Sequence, residues 1–248
     1  MGLYVEARMR ADLDAVWART QDPALHQRWD LRFTEIDYLP GAEGEPQRFR
    51  YATRVLPGLT VSGTGISAGE KERPDGTRTS ALRFASPHPL SLIAEGGGYW
   101  RYVPDGEGVR FLTGYDYRPR WGRLGTIADR LLFRPLMGWA TAWSFDRLRL
   151  WVERDITPER ALRRWLAEAA VRAVTVVAAC AVPVYGALVG PWGPPASPAL
   201  FVTPVLAVSA ALAALLVPSL PGTPSARRCL RKPPARTRAP RLLATLKG

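Results

Sequence analysis

Between Arg172 and Arg227 the chain passes through 54 residues without a single Asp, Glu, Lys or Arg. A water-facing helix needs a polar outer face, and these residues supply none. Most of the stretch is two apolar runs, AVTVVAACAVPVYGALV at 173–189 and ALFVTPVLAVSAALAALLV at 199–217, of 17 and 19 residues. At 1.5 Å per residue each approaches the roughly 30 Å of a bilayer core, and the first can begin near 171 if Arg172 snorkels. The intervening GPWGPPASP, 190–198, cannot continue a helix and reads as a tight turn with Trp192 suited to an interface. Two transmembrane helices, about 171–189 and 199–217, are therefore expected within a segment running from 157 to 218.

Charge decides their orientation. The formal net charge of +12 divides into +3 on residues 1–154, +1 on 155–226 and +8 on the final stretch. Arg160, Arg163, Arg164 and Arg172 precede the hairpin and eight basic residues follow it. Positive flanks stay inside, so the expected location is the cell membrane, multi-pass, with both termini cytoplasmic and the short turn outside. The early Glu6 argues against a signal peptide and fits this placement. Residues 219–248, Pro-interrupted and basic, read as a disordered cytoplasmic tail that adheres to membrane lipid. No nucleic acid partner is favoured, because the high isoelectric point belongs to that tail, which lacks aromatic residues for stacking. The two cysteines, Cys180 and Cys229, support neither a disulfide framework nor a Cys-based metal site.

Residues 1–156 read as a separate domain. Residues 3–9 alternate as a strand, Leu13, Val16 and Trp17 mark a first helix after Asp12, and Asp22-Pro23 opens a second carrying Leu25 and Trp29. Strand-like segments follow near 32–39, 47–55, 59–67, 79–85, 92–103 and 109–118, separated by turns such as Pro57-Gly58 and Asp105-Gly106. From Arg123 the period becomes helical, with Leu124, Ile127, Leu131, Leu132 and Leu136 leading into Trp143 and Trp151. That stripe is expected to bury itself on the sheet, with a bend or interruption near Pro135. Thr157-Pro158 is a good start for the helix that enters the membrane.

This order of elements, the opening YVEARMRADLDAVWARTQDPALHQRW and the closing ADRLLFRPLMGWATAWSFDRLRLWVE resemble the START-related helix-grip superfamily, SRPBCC, over about residues 3–154. That superfamily includes polyketide cyclases and dehydrases, lipid-transfer domains and pollen-allergen-like proteins. The resemblance implies an α+β helix-grip fold, a curved antiparallel sheet around a long C-terminal helix and an internal cavity. It implies function only weakly, because Val16-Trp17 and Trp29, which carry it, are packing positions.

The residues themselves offer little catalytic chemistry. No metal-ligand spacing and no phosphate loop is present, so no cofactor and no metal are expected. His26, in a polar helix, and His88, between two prolines, both read as solvated. The glycines of Glu95-Gly96-Gly97-Gly98 read as sheet curvature, with Gly98 expected opposite Gly114 in a hairpin centred on Gly106. Glu95 and Asp116 are the acid/base candidates, expected on opposite faces of the sheet under that register. Tyr99, Trp100, Phe111, Tyr115, Tyr117, Trp139 and Trp143 are the ligand-pocket candidates; such a cluster suits an apolar pocket and equally an ordinary core. The reading that follows is a membrane-anchored binding or transfer protein for an apolar small molecule or lipid. An aromatase/cyclase-like enzyme and a partner-binding membrane module are the alternatives.

Overall fold

The computed structural model of the chain describes residues 2–42, 44–189 and 199–234. They form two compact units, one of residues 2–42, 44–159 and 224–234 and one of residues 160–189 and 199–223.

The first unit is α+β, a seven-stranded antiparallel sheet with helices. After β1 (Leu3–Met9) come α1 (Leu13–Gln21) and α2 (Pro23–Trp29). A meander follows: β2 (Glu35–Tyr38), β3 (Arg48–Leu56), β4 (Leu59–Glu72), β5 (Arg78–Ala85), β6 (Ile93–Asp105) and β7 (Gly108–Pro119). β1 closes the far edge beside β7, giving the order β1-β7-β6-β5-β4-β3-β2. Irregularities at Arg54/Leu56, Ser67/Gly69 and Ile93/Glu95 interrupt the ladders, and such bulges bend and twist a sheet. Gly114 leaves room for the Tyr99 ring, which a β-carbon there would meet at 2.7 Å.

The chain leaves β7 through Trp121 and Gly122, both at positive φ (67° and 55°). It then runs as one helical path: α3 (Gly122–Ala128), a π-turn (Asp129–Phe133) and α4 (Arg134–Arg154). Only α4 has the expected role, burying Ala142, Phe145, Leu148 and Leu150 completely. The stripe before it does not pack on the sheet: Leu124 is 78% exposed and Leu131 74%. Pro135 explains this correction. It has no N–H to donate and its ring would clash with the carbonyl four residues back, so the α-helix is interrupted there and widens by one residue. One added residue turns the following face by about 100°. The stripes of α3 and α4 are therefore out of phase.

The expected tail is corrected as well. Residues 224–234 lie against the first unit instead of running free. Ser225 N and Arg228 Nη1 donate to the fully buried Asp146 carboxylate at 2.7 and 2.9 Å, and Cys229 Sγ donates to Ala142 O. Leu230 exchanges both backbone hydrogen bonds with Glu6, at 2.8 and 2.9 Å. The reason is the edge of β1, a row of backbone groups that needs partners, together with a buried carboxylate that needs donors. Replacing Arg228 with Ala is expected to cost about 1.5–3 kcal/mol, the usual worth of a hydrogen bond to a charged group. Urea unfolding followed by near-ultraviolet circular dichroism checks it. Residues 235–248 of the expected tail lie outside the described residues.

The second unit contains most of α5 (Pro158–Val189) and α6 (Ala199–Leu216). Arg172 fastens them together. Its guanidinium donates to the Ala214, Val217 and Pro218 carbonyls and to Glu168 one turn back, so the C-terminal carbonyls of α6 are capped by a side chain of α5. Apolar side chains point outward along both helices, among them Val174 and Val177 at 68%, Leu206 at 63% and Leu216 at 68% exposed. Among the described residues no helix is long and apolar enough to cross a membrane. The expected spans fall on α5 and α6, so the structure does not bear them out as transmembrane helices; the 190–198 turn with Trp192 lies outside the described residues.

Candidate functional site: a buried His–Asp–Arg cluster in an aromatic interior

The inner face of the sheet carries Trp100, Tyr102, Phe111 and Thr113, and α1, α2 and α4 cover it. Phe111 stacks on Phe145 of α4 at 4.4 Å, Trp29 of α2 meets Trp100, Phe111 and Phe145 at 6.1–6.5 Å, and Trp17 of α1 meets Tyr102 at 4.9 Å. Each of these pairs adds about 0.5–1.5 kcal/mol beyond the area it buries.

Into this apolar interior α2 inserts a charged cluster. Asp22 caps the helix by accepting from Ala24 N at 2.8 Å and Leu25 N at 3.3 Å, and Pro23 takes the first position. Further along the same helix His26 and Trp29 both turn inward, and the helix ends at Asp30. The Asp30 side chain is 0% exposed and receives four hydrogen bonds. Oδ1 accepts from Arg32 N at 3.0 Å and Arg32 Nε at 2.9 Å; Oδ2 accepts from Arg32 Nη2 at 2.6 Å and His26 Nε2 at 3.1 Å. Arg32, 9% exposed, lies over the Phe33 and Tyr115 rings at 5.4 and 5.6 Å. The Tyr115 hydroxyl bonds Thr141 Oγ1 of α4 at 3.1 Å. His26 stacks on Trp29 at 5.0 Å and meets Trp100 edge-on at 4.8 Å.

The electrostatics fix the protonation states. Burial alone would raise the Asp30 carboxyl, but the Arg32 guanidinium and the bonds from Arg32 and His26 outweigh it and hold the group well below the carboxylate range. Burial likewise opposes the charge on Arg32, yet Asp30 keeps it firmly cationic. Burial pushes His26 below the ordinary histidine value, against the pull of Asp30. At neutral pH the imidazole is thus uncharged. It donates from Nε2 to the ionised Asp30 and carries its lone pair on Nδ1.

A folded pKa below the unfolded one means that the unfolded chain binds more protons in between. The stabilisation from a neutral His26 is complete above about pH 6.5 and is lost as the pH falls toward the folded value. Asp30 acts in the same direction but deeper in acid. The melting temperature is expected to be level above about pH 7 and to decline from about pH 6.5 downward. In His26→Gln the decline should begin only in the carboxylate range, a difference that melts across pH will reveal.

The ligand-pocket candidates divide. Trp100 and Phe111 belong to the aromatic interior, and Tyr115 and Tyr117 point the same way, the Tyr117 hydroxyl donating to Asp129 at the π-turn. Trp143 is buried in α4 and stacks with the half-buried Trp139 at 6.3 Å. Tyr99 lies on the opposite face of the sheet from Trp100, packed with Tyr4, Ala81 and Leu112, because neighbouring residues of a strand cannot share a face.

The acid/base candidates need a correction. The β6–β7 turn has two residues, Gly106 and Glu107, so Asp105 pairs with Gly108, Gly98 with Tyr115 and Gly97 with Asp116. This one-residue shift puts Glu95 and Asp116 on the same face, the outer one. Glu95 is 62% exposed and pairs with Arg118, and Asp116 is exposed. Neither reaches the aromatic interior. His88 lies in its loop as expected, with Nδ1 accepting from Leu90 N. His26 is a further correction, for it is buried where a solvated side chain was expected. The signal for it in the sequence is His26-x-x-Trp29-Asp30-x-Arg32, a spacing that stacks the first three on one side of a short helix end. Among the described residues no group of His, Cys, Asp and Glu is placed to hold a metal ion.

No family model matches the chain. It is 54% identical over 162 residues to the uncharacterized membrane protein YndG of Bacillus subtilis (strain 168), a match covering 65% of this chain and 60% of that protein. The chain thus spans less than two thirds of the length of this relative. Among solved structures it is similar to a STAR-related lipid transfer protein of Xanthomonas axonopodis, with 20% identity, a TM-score of 0.44 and coverage of 58% of this chain and 81% of that one. It is also similar to the Zhui aromatase/cyclase of a Streptomyces species, with 16% identity, a TM-score of 0.40 and coverage of 60% and 95%.

Proposed function

We propose that this protein is a membrane-anchored binding or transfer protein for an apolar small molecule or lipid, with the His26–Asp30–Arg32 cluster reading the ligand's polar end. The observation that carries the reading is a fully buried carboxylate with its arginine and histidine set into an aromatic interior. Burying such a pair costs several kcal/mol per ion before any attraction is counted, and an all-apolar core of the same volume avoids that cost. What the cluster adds is a fixed set of directional polar groups inside an apolar site, which is the make-up of a small-molecule pocket. Arg32 offers N–H groups beyond those Asp30 takes, and His26 Nδ1 offers an acceptor, so a carbonyl- or hydroxyl-bearing end group matches them.

Anchoring is supported by the two uncharged runs of 17 and 19 residues, by the outward-facing valines and leucines of α5 and α6, and by the membrane label of the relative. The arginines on the first flank and the eight basic residues after the second favour a hairpin with both ends on the cytoplasmic side. The test is to wash membranes holding the full chain at alkaline pH, then purify it and extract it with organic solvent for mass spectrometry. The reading expects the chain to stay in the membrane pellet and one apolar compound to come off in near-equal amount. A washed-off chain refutes the anchor, and extracts holding only bulk phospholipid refute the binding role.

A second reading has its own observation. A neutral histidine oriented by a buried aspartate is the arrangement of a general base, so proton transfer on a bound carbonyl compound is the enzymatic alternative. It rests on His26 and no longer on Glu95 or Asp116.

A further inference from the structure

The ridge formed by α3 and the π-turn leaves its apolar side exposed. Trp121, Leu124, Ile127, Leu131, Leu132 and Leu136 are between 49% and 78% exposed, at a spacing that a globular helix normally turns inward. Six large apolar side chains on one continuous ridge exceed the scattered apolar exposure of an ordinary surface. Beside it Arg118 pairs with Glu95, Arg134 pairs with Asp129 and Arg120 donates to Ser86 O, while Arg123 and Arg130 are exposed cations. Residues 118–136 contain Arg118, Arg120, Arg123, Arg130 and Arg134 against a single acid, Asp129, which is 4% exposed and tied to Tyr117 and Arg134. Between Arg118 and Arg123 an open groove of about 590 Å³ is floored by Pro119, Gly122, Thr126 and Ile127. Trp121 Nε1 donates to Pro89 O at 3.0 Å, and Arg134 Nε to Asp129 at 3.1 Å.

We propose that this ridge is a second membrane contact, an interfacial element that lies in the surface of an anionic bilayer with its leucines among the acyl chains and Arg123 and Arg130 on lipid phosphates. Leu and Trp on one side with Arg along the flanks is the composition of a helix that lies in the plane of the interface. A protein partner with an apolar groove would satisfy the leucines but leave Arg123 and Arg130 without matching charge, whereas phosphatidylglycerol supplies both. The contact goes beyond the ligand reading and does not depend on it. It shares with the anchoring reading only the membrane itself.

The test uses the full chain with Cys180→Ser, Cys229→Ser and Leu131→Cys, labelled at 131 with an environment-sensitive fluorophore and reconstituted into vesicles of phosphatidylcholine with or without phosphatidylglycerol. The label should shift to the blue in the anionic vesicles and be quenched by lipids brominated in the acyl chain. Reversing Arg123 and Arg130 to Glu should reduce vesicle contact at the label by roughly tenfold. Flotation of the vesicles reports the anchor separately, so a chain that floats with a water-exposed label refutes the ridge contact alone. A chain that neither floats nor shifts refutes both. A blue shift that follows protein concentration at fixed lipid, indifferent to lipid charge, assigns the ridge to a second copy of the chain and overturns the proposal.

Discussion

Asp30→Ala is expected to destabilise the first unit by about 3–5 kcal/mol, at the upper end of what a single substitution does to a domain. The carboxylate is the acceptor for four hydrogen bonds and, among the described residues, the anion bonded to the 9% exposed Arg32 side chain. Removing it leaves a cation and a histidine buried without their partner, and that uncompensated charge is where the cost arises. Near-ultraviolet melts should show the transition about 10 °C lower. Replacing both partners, Asp30→Leu with Arg32→Met, should recover most of the loss, because an apolar pair of similar volume carries no desolvation penalty. The double variant also separates stability from function: it should fold and fail to retain the ligand.

Trp29→Ala should have an effect of the same size. Trp29 is completely buried, contacts Trp100, Phe111, Phe145 and His26, and donates Nε1 to Arg19 O at 2.8 Å. Truncation removes the transfer free energy of the indole and leaves a cavity that rigid neighbouring rings cannot fill, a cost of about 3–5 kcal/mol. Trp29→Phe keeps most of the volume and should cost clearly less, though it loses the donor to Arg19. Urea unfolding of the three proteins gives the ranking; equal losses for Phe and Ala would mean that the hydrogen bond, and not the ring packing, carries the effect.

Strands and helix starts are legible in the sequence because they are local. Alternation marks β1, turn residues delimit the six later strand segments, Asp22-Pro23 marks α2, and Thr157-Pro158 marks α5. The features that sequence patterns miss are decided by single-residue offsets or by distant partners. A two-residue turn at Gly106-Glu107 in place of a turn centred on Gly106 reverses the relation of Glu95 to Asp116. A π-turn ahead of Pro135 keeps Leu124 and Leu131 off the sheet, although their spacing is that of a buried stripe. The tail between Ser225 and Leu230 finds its order in Asp146 and in the edge of β1, both far away in sequence. His26 looks solvated among Gln27 and Arg28, since its burial depends on Trp100 from a distant strand. The aromatic side chains are legible as a group; that His26, Asp30 and Arg32 sit among them follows only from the fold.

The central claim is that the interior between the sheet and α4 receives an apolar molecule whose polar end meets His26 and Arg32. Photo-crosslinking tests it most directly. Membranes containing the full chain are loaded with a fatty acid bearing a diazirine in its alkyl chain, irradiated, and the modified peptides are mapped. The account expects adducts on residues of α2, β6, β7 and α4, such as Trp29, Trp100 and Phe111, and expects them to disappear in the Asp30→Leu, Arg32→Met variant. Adducts confined to α5 and α6, equal in both proteins, would show lipid around an anchor and no ligand in the domain, and would contradict it.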